Sequence, residues 1–257
     1  MTSKDAPKEE PAMGVQRGNY NRHLAGPLIL ATSRILSIPL QHFIIAKHPL
    51  SVLGIPRPPT DGTITLPFVS PQWATQPLFP SLMVLMTAVL ASKQISWIGY
   101  CNEYITVPFG LFGGIADAIY EAITSLVYTG AAVNPLWSPA FVKPATAIHI
   151  TAVVAELGCE MHRLAFKADP KNRGKLCTTG LWGWCRHPNF ALNVVYGFAF
   201  GFAAGGPIYA MMTGGMYLSN FVFNAIPPKE QYMAEKYGVG WEKYKKETKW
   251  KLFPGIY

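Results

Sequence analysis

Charge is what this sequence has least of: Asp, Glu, Lys and Arg make up 14% of its 257 residues, against about 25% in soluble domains. That is too little to coat a water-facing surface. Cysteine is also scarce, with four residues in all, which excludes a disulfide-dense scaffold. Cys101, Cys159, Cys177 and Cys185 show no C-x-x-C spacing, so they suggest reduced packing residues and no zinc or redox site. No G-x-G-x-x-G fingerprint occurs, so a nucleotide would not sit in a soluble Rossmann domain. The stretch from Met1 to His23 lacks the apolar run of a signal peptide and reads as a flexible cytosolic tail. What is abundant is apolar surface, at 50% hydrophobic residues. Disorder is excluded by that figure. An integral membrane protein remains.

A helix needs about 20 mostly apolar residues to cross the bilayer core. Six windows qualify: Leu24–Ala46, Leu78–Ile98, Ile105–Tyr128, Pro144–Phe166, Phe190–Gly206 and Pro207–Ile226. The first carries Arg34. The last two almost touch and read as a tight helical hairpin, with Gly197, Gly201 and Gly205 spaced to admit a close neighbour. The fold class predicted is all-α, a polytopic bundle of about six transmembrane helices.

The net charge of +8 fits the positive-inside rule better than a nucleic-acid partner, because no basic stripe lies on a soluble module. Arg163, Lys167, Lys171, Arg173, Lys175 and Arg186 crowd the connection between the fourth and fifth windows, and seven lysines follow Pro227. Both segments are therefore expected in the cytosol, with the amino terminus, and the loop His48–Pro77 outside.

Several polar residues are too deep to be decoration. Asp117 and Glu121 lie one turn apart on the third window with Tyr120 beside them, where acids should face an interior and could donate protons. Helix–helix hydrogen bonding explains them equally well. Glu156, Glu160, Arg163 and Lys167 share a face of the fourth helix. An ion-pair ladder accounts for the outer two, and a pocket accounts better for Glu156. Arg186, His187 and Asn189 flank Pro188 at a helix start, an arrangement suited to an anionic or polar ligand. Tyr237, Trp241 and Tyr244 fall at helical spacing in a tail too aromatic to be disordered. They imply either an interfacial helix or a lid folded back on the bundle.

The run Glu160-Met161-His162-Arg163-Leu164-Ala165-Phe166-Lys167, the segment Asp169 to Lys175, Gly180-Leu181-Trp182 and Arg186-His187-Pro188-Asn189-Phe190 resemble the DUF1295 and steroid 5α-reductase C-terminal pattern. The ending, with Lys236-Tyr237-Gly238, Trp241, Tyr244 and Phe253 to Tyr257, is similar to the carboxyl end of sterol reductases. Isoprenylcysteine carboxyl methyltransferases share the Arg-His-Pro element. The likeness covers about residues 155–257.

This resemblance implies an NADPH-dependent reductase of a carbon–carbon double bond in a steroid, sterol or other terpenoid lipid, in the endoplasmic reticulum membrane. It implies cofactor contacts at Glu160, Lys167, Arg186, His187, Asn189, Asn193, Tyr237, Trp241 and Tyr244. Asn193 stands where the reductase branch usually carries an acid. Tyr120, Glu121 and Asp117 are the expected catalytic acids, and no metal is expected. The organisation expected is a tail (1–23), substrate-lining helices (24–154) and a cofactor core with C-terminal lid (155–257). Two other readings stay open: methyl transfer from S-adenosylmethionine, and a non-catalytic scaffold that keeps the fold. The basic loop leans towards the dinucleotide, since phosphates need cations and the sulfonium of S-adenosylmethionine does not.

Overall fold

A computed structural model describes residues 15–16, 19, 21, 23–67, 70–101 and 103–257. Most of the expected N-terminal tail lies outside the described residues. The helices are α1 (Ala25–Lys47), the single turn α2 (Pro71–Ala74), α3 (Leu78–Tyr100), α4 (Val107–Thr129), α5 (Val142–Ala168), α6 (Pro188–Asn220), α7 (Ile226–Tyr237) and α8 (Val239–Glu247). Among the described residues, strands are confined to two short antiparallel pairs, β1 (Val15–Gln16) with β4 (Tyr104–Ile105) and β2 (Thr63–Thr65) with β3 (Thr75–Pro77). The protein is all-α. Five helical stretches among the described residues are long and apolar enough to cross a membrane, so it is an integral membrane protein. The chain divides into two compact units, one up to Gly130 and one from Ala131 to Tyr257. Residues 154 and 155 both lie inside α5.

In the first unit α1 packs along α4 and α3. The α1–α4 seam is close because it lacks side chains: a Cβ on Gly110 would come within 2.6 Å of the Gly26 carbonyl oxygen. Thr106 Oγ1 caps α4 by accepting from Phe109 N at 3.2 Å, and Pro108 sits in its first turn, where no N–H is needed. Arg34, the residue that makes α1 an awkward span, is 1% exposed and faces Glu121 of α4, also 1% exposed. Arg34 Nη1 donates to Glu121 Oε2 at 3.1 Å, Nη2 donates to Oε1, and Ser37 Oγ donates to Oε2. Neither charge could remain in a span alone. Together they form a closed pair.

In the second unit α5 packs against α6. At Gly206 the chain has φ 76° and ψ −165° inside α6, and Pro207 follows. This is the reversal expected between the fifth and sixth windows. A side chain there would collide with the Leu136 carbonyl oxygen. The arms then lie face to face: Thr213 Oγ1 donates to Gly197 O at 3.0 Å, and Cβ atoms on Gly197 and Gly201 would strike Tyr217 and Thr213. The expected packing role of these glycines is therefore met within the hairpin. Asn134 Nδ2 and Trp137 Nε1 donate to Gly205 O (2.9 Å) and Ala203 O (2.8 Å), closing its apex.

One expected regularity is broken. Tyr237 ends α7, while Trp241 and Tyr244 belong to α8, because Gly238 adopts φ 49° and stops the helix. The three residues do not share a helical face.

Candidate functional site

The first turn of α6 is where the second unit concentrates its buried polarity. Pro188 occupies the opening turn, and the preceding two residues keep extended or irregular backbone that pairs with the tail. Arg186 N donates to Trp250 O and His187 N to Lys251 O, both at 2.9 Å. The Arg186 guanidinium is 7% exposed. Its Nη1 donates to Thr248 O (3.0 Å) and Lys249 O (2.8 Å), and its Nε to Glu230 Oε1 of α7 at 2.8 Å. This arginine gathers the helix start, α7 and the tail into one knot. Three of its five side-chain N–H groups are spent on the protein itself.

His187 is 1% exposed, and its Nε2 donates to Glu230 Oε1 at 3.2 Å. Burial pushes its imidazole down to about 4, so the ring is neutral at physiological pH. With Nε2 carrying the proton, Nδ1 is an acceptor, and it is buried with no hydrogen-bond partner among the described residues. Asn189, 9% exposed, likewise buries Oδ1 without a partner. Two orphaned polar atoms within the same turn are costly, and such atoms call for a partner the chain does not itself supply.

Around this turn the other expected residues are distributed unevenly. Asn193, one turn on, donates through Nδ2 to Asn189 O and accepts from Tyr196 OH. That extends a polar lane along the first arm of α6. Glu156 and Glu160 of α5 are both 5% exposed. Glu160 accepts from Arg163 Nε (2.9 Å) and Nη2 (2.6 Å), and Arg163 lies 5.8 Å from the Trp182 ring centre. Trp182 donates to Cys159 O at 3.0 Å and accepts at its own carbonyl from Tyr244 OH at 2.6 Å. Trp241 is 1% exposed beside Tyr244. These two aromatics therefore anchor the tail into the unit, which favours the folded-back lid over the interfacial helix. Lys167 donates to Tyr237 OH at 2.9 Å and to Lys175 O, so this pair lies apart from the buried turn on an exposed rim.

Two residues at the site were not among the expected contacts. Glu230 is the shared acceptor of Arg186 and His187. Lys229 lies 4.5 Å from the Phe190 ring centre and 5.9 Å from that of Trp182. The available signal was Pro227-Pro228 followed by Lys229-Glu230, a helix start carrying charge. Cys185 is no nucleophile, since burial pushes its thiol up to about 11.

The three expected acids belong to the first unit. Glu121 is committed to Arg34 and Ser37, as described above. Asp117 accepts from Gln94 Nε2 at 2.6 Å and lies 4.0 Å from Arg34, with its side chain 29% exposed. Tyr120 is half-buried.

Known proteins resemble parts of this chain. "Probable O-methyltransferase ustE" of Ustilaginoidea virens is 25% identical over 169 residues, covering 62% of this chain and 60% of that protein. "Probable 7-dehydrocholesterol reductase" of Acanthamoeba polyphaga mimivirus is 32% identical over 91 residues, 35% of this chain and 20% of the relative. "Delta(14)-sterol reductase" of Ascobolus immersus is 25% identical over 124 residues, 43% and 29% respectively. The matches thus span less than two thirds of each relative's length. A family model described as a protein of unknown function, DUF1295, matches residues 117–248. That segment takes in the α6 turn with its orphaned atoms, Glu230 and all of α8, and on it the chain belongs to the DUF1295 family.

Proposed function

We infer that this protein is a membrane reductase that uses NADPH to saturate a carbon–carbon double bond in a sterol or other terpenoid lipid. The observation that carries the reading is the pair of buried, unpartnered atoms at the start of α6, Asn189 Oδ1 and His187 Nδ1. A carboxamide or ribose hydroxyl could donate to either. Lys229 beside Phe190, and Lys167, Lys171, Arg173 and Lys175 on the exposed rim, offer cations for phosphates. The residues present therefore fit a dinucleotide. When bound, NADPH would supply the hydride.

The remaining tasks fall to the chain. Asn189 orients the ligand's amide end and His187 accepts a hydrogen bond as a neutral ring. Glu160, held by Arg163, and the Asn193–Tyr196 lane supply further polar contacts. Arg186 acts as a positioning residue: it holds the tail over the turn so that Trp241 and Tyr244 keep water out. Glu121 of the first unit serves as the counter-ion of Arg34 and is not free to donate a proton. The cation-rich connections support cytosolic termini, in a membrane of the endoplasmic reticulum.

Methyl transfer from S-adenosylmethionine is the second reading. It is favoured by the length of the match to the probable O-methyltransferase and by the two buried acids on α5. Titrating both cofactors into the purified full-length protein separates the two. NADPH binding that falls at least tenfold in Asn189→Ala, with thermal stability unchanged, supports the reductase. Binding of S-adenosylmethionine in preference to NADPH, or an unaltered NADPH affinity in the variant, overturns it.

A further inference from the structure

The first unit contains a cavity of about 190 Å³ far in sequence from the α6 turn. It lies at one end of three spans, bounded by the last turns of α1 and α4, the first turn of α3 and the loop 57–60. The loop is clamped in place. His48 stands in the left-handed region at φ 50°, and its Nε2 donates to Ile55 O at 2.8 Å. Arg57 Nη2 donates to Ala46 O at 2.9 Å, in the last turn of α1.

The lining has two sides. Ile45, Pro80 and Val84 make an apolar wall, while the lining Arg57 and His42 are exposed to solvent and Tyr128 is buried. Among the described residues, no Asp or Glu lines the cavity. One Arg57 N–H is used by Ala46, and a guanidinium carries five, fixed in a fork that matches phosphate or carboxylate. The volume is below the roughly 300–1,000 Å³ of sites that enclose a drug-sized molecule. It suits a head group and the first carbons of a chain, and is too small for a sterol.

We propose that the juxtaposition of Arg57 and His42 with the Ile45–Pro80–Val84 wall is a binding site for the anionic head of a single-chain amphiphile, a phosphate or carboxylate on an alkyl tail. This site is independent of the reductase reading, since every residue in it belongs to the first unit.

Native mass spectrometry of the full chain, released from neutral detergent, tests the proposal with dodecyl phosphate, dodecanoate, dodecanol and inorganic phosphate. One equivalent of dodecyl phosphate, dodecanoate or both should be retained, and which of them identifies the head group. Arg57→Gln should lower that affinity at least tenfold. Val84→Phe, which fills the wall and leaves the charge intact, should do the same and covers the case in which Arg57→Gln fails to fold. Equal retention of dodecanol overturns the anionic assignment, and equal retention of inorganic phosphate overturns the amphiphile. Unchanged binding in either folded variant overturns the site.

Discussion

The two units each bury a cationic side chain beside an acid, and they treat it differently. In the first, Arg34 and Glu121 meet between α1 and α4, with Ser37 completing the carboxylate's partners. In the second, Arg186 and His187 converge on Glu230, but the same turn leaves Asn189 Oδ1 and His187 Nδ1 unpartnered. A closed cluster inside a span makes two helices compatible with lipid. An incompletely satisfied cluster at a helix start holds capacity for something else. Gln41 Oε1 beside the first cluster is also buried without a partner among the described residues, so the distinction lies in the groups themselves: the Glu121 carboxylate has its partners, whereas at the α6 turn two orphaned atoms lie within three residues.

The contrast can be broken most forcefully at Glu121. Glu121→Ala strands Arg34 inside the first unit and should cost about 3–5 kcal/mol, seen as loss of folded protein after detergent extraction. Arg34→Met with Glu121→Leu should recover most of that yield, since a well-packed apolar pair replaces a buried ion pair at little cost. In the second unit Arg186→Ala removes the bonds to Glu230 and to two tail carbonyls, for about 2–3 kcal/mol. Limited proteolysis should then cut first in the tail beyond Glu247, with α5 and α6 intact. If both variants unfold the whole chain alike, the distinction between the two clusters fails.

Acidification sharpens the comparison, because the titrating imidazole belongs to the second cluster. His187 has a folded value near 4, below the roughly 6.5 of a free histidine. Above pH 6.5 both states are neutral and stability is complete. As pH falls from there towards 4 the unfolded chain takes the proton first, so stability is lost, by about 2 kcal/mol at pH 5. A melting series in a His187→Gln variant should lose that slope. Least of all, Tyr244→Phe removes the hydroxyl that reaches Trp182 O and should lower stability by about 1 kcal/mol, with the tail still docked.

Much of this architecture could be read from residue order. The starts of α1, α3, α4 and α5 fall within two residues of the windows set by apolar length, and the hairpin followed from two short windows that almost touch. Such features are local, so a one-dimensional pattern contains them. Pairings between distant residues are not local. Arg34 and Glu121 are 87 positions apart, and nothing in the periodicity of α1 announces its partner. The break at Gly238 was missed for a different reason. Tyr237, Trp241 and Tyr244 have the spacing of one face, and a glycine between them is tolerated in a helix unless its backbone turns positive, which spacing does not report. The first turn of α6 was marked by Arg186, His187 and Asn189, yet Arg186 faces the tail, because its partners are main-chain carbonyls whose placement no residue identity encodes.

The hairpin of α6 also bears on how the chain is made. Thr213 finds one acceptor on the opposite arm at Gly197, and the faces of Gly197 and Gly201 on the first arm are met by Tyr217, Thr213 and Ala210 of the second. Neither arm leaves the ribosome with a surface that lipid can satisfy as well as its sibling does. Biogenesis should therefore hold the first arm at the translocon until the second has emerged, and release the two into the bilayer as one inserted body.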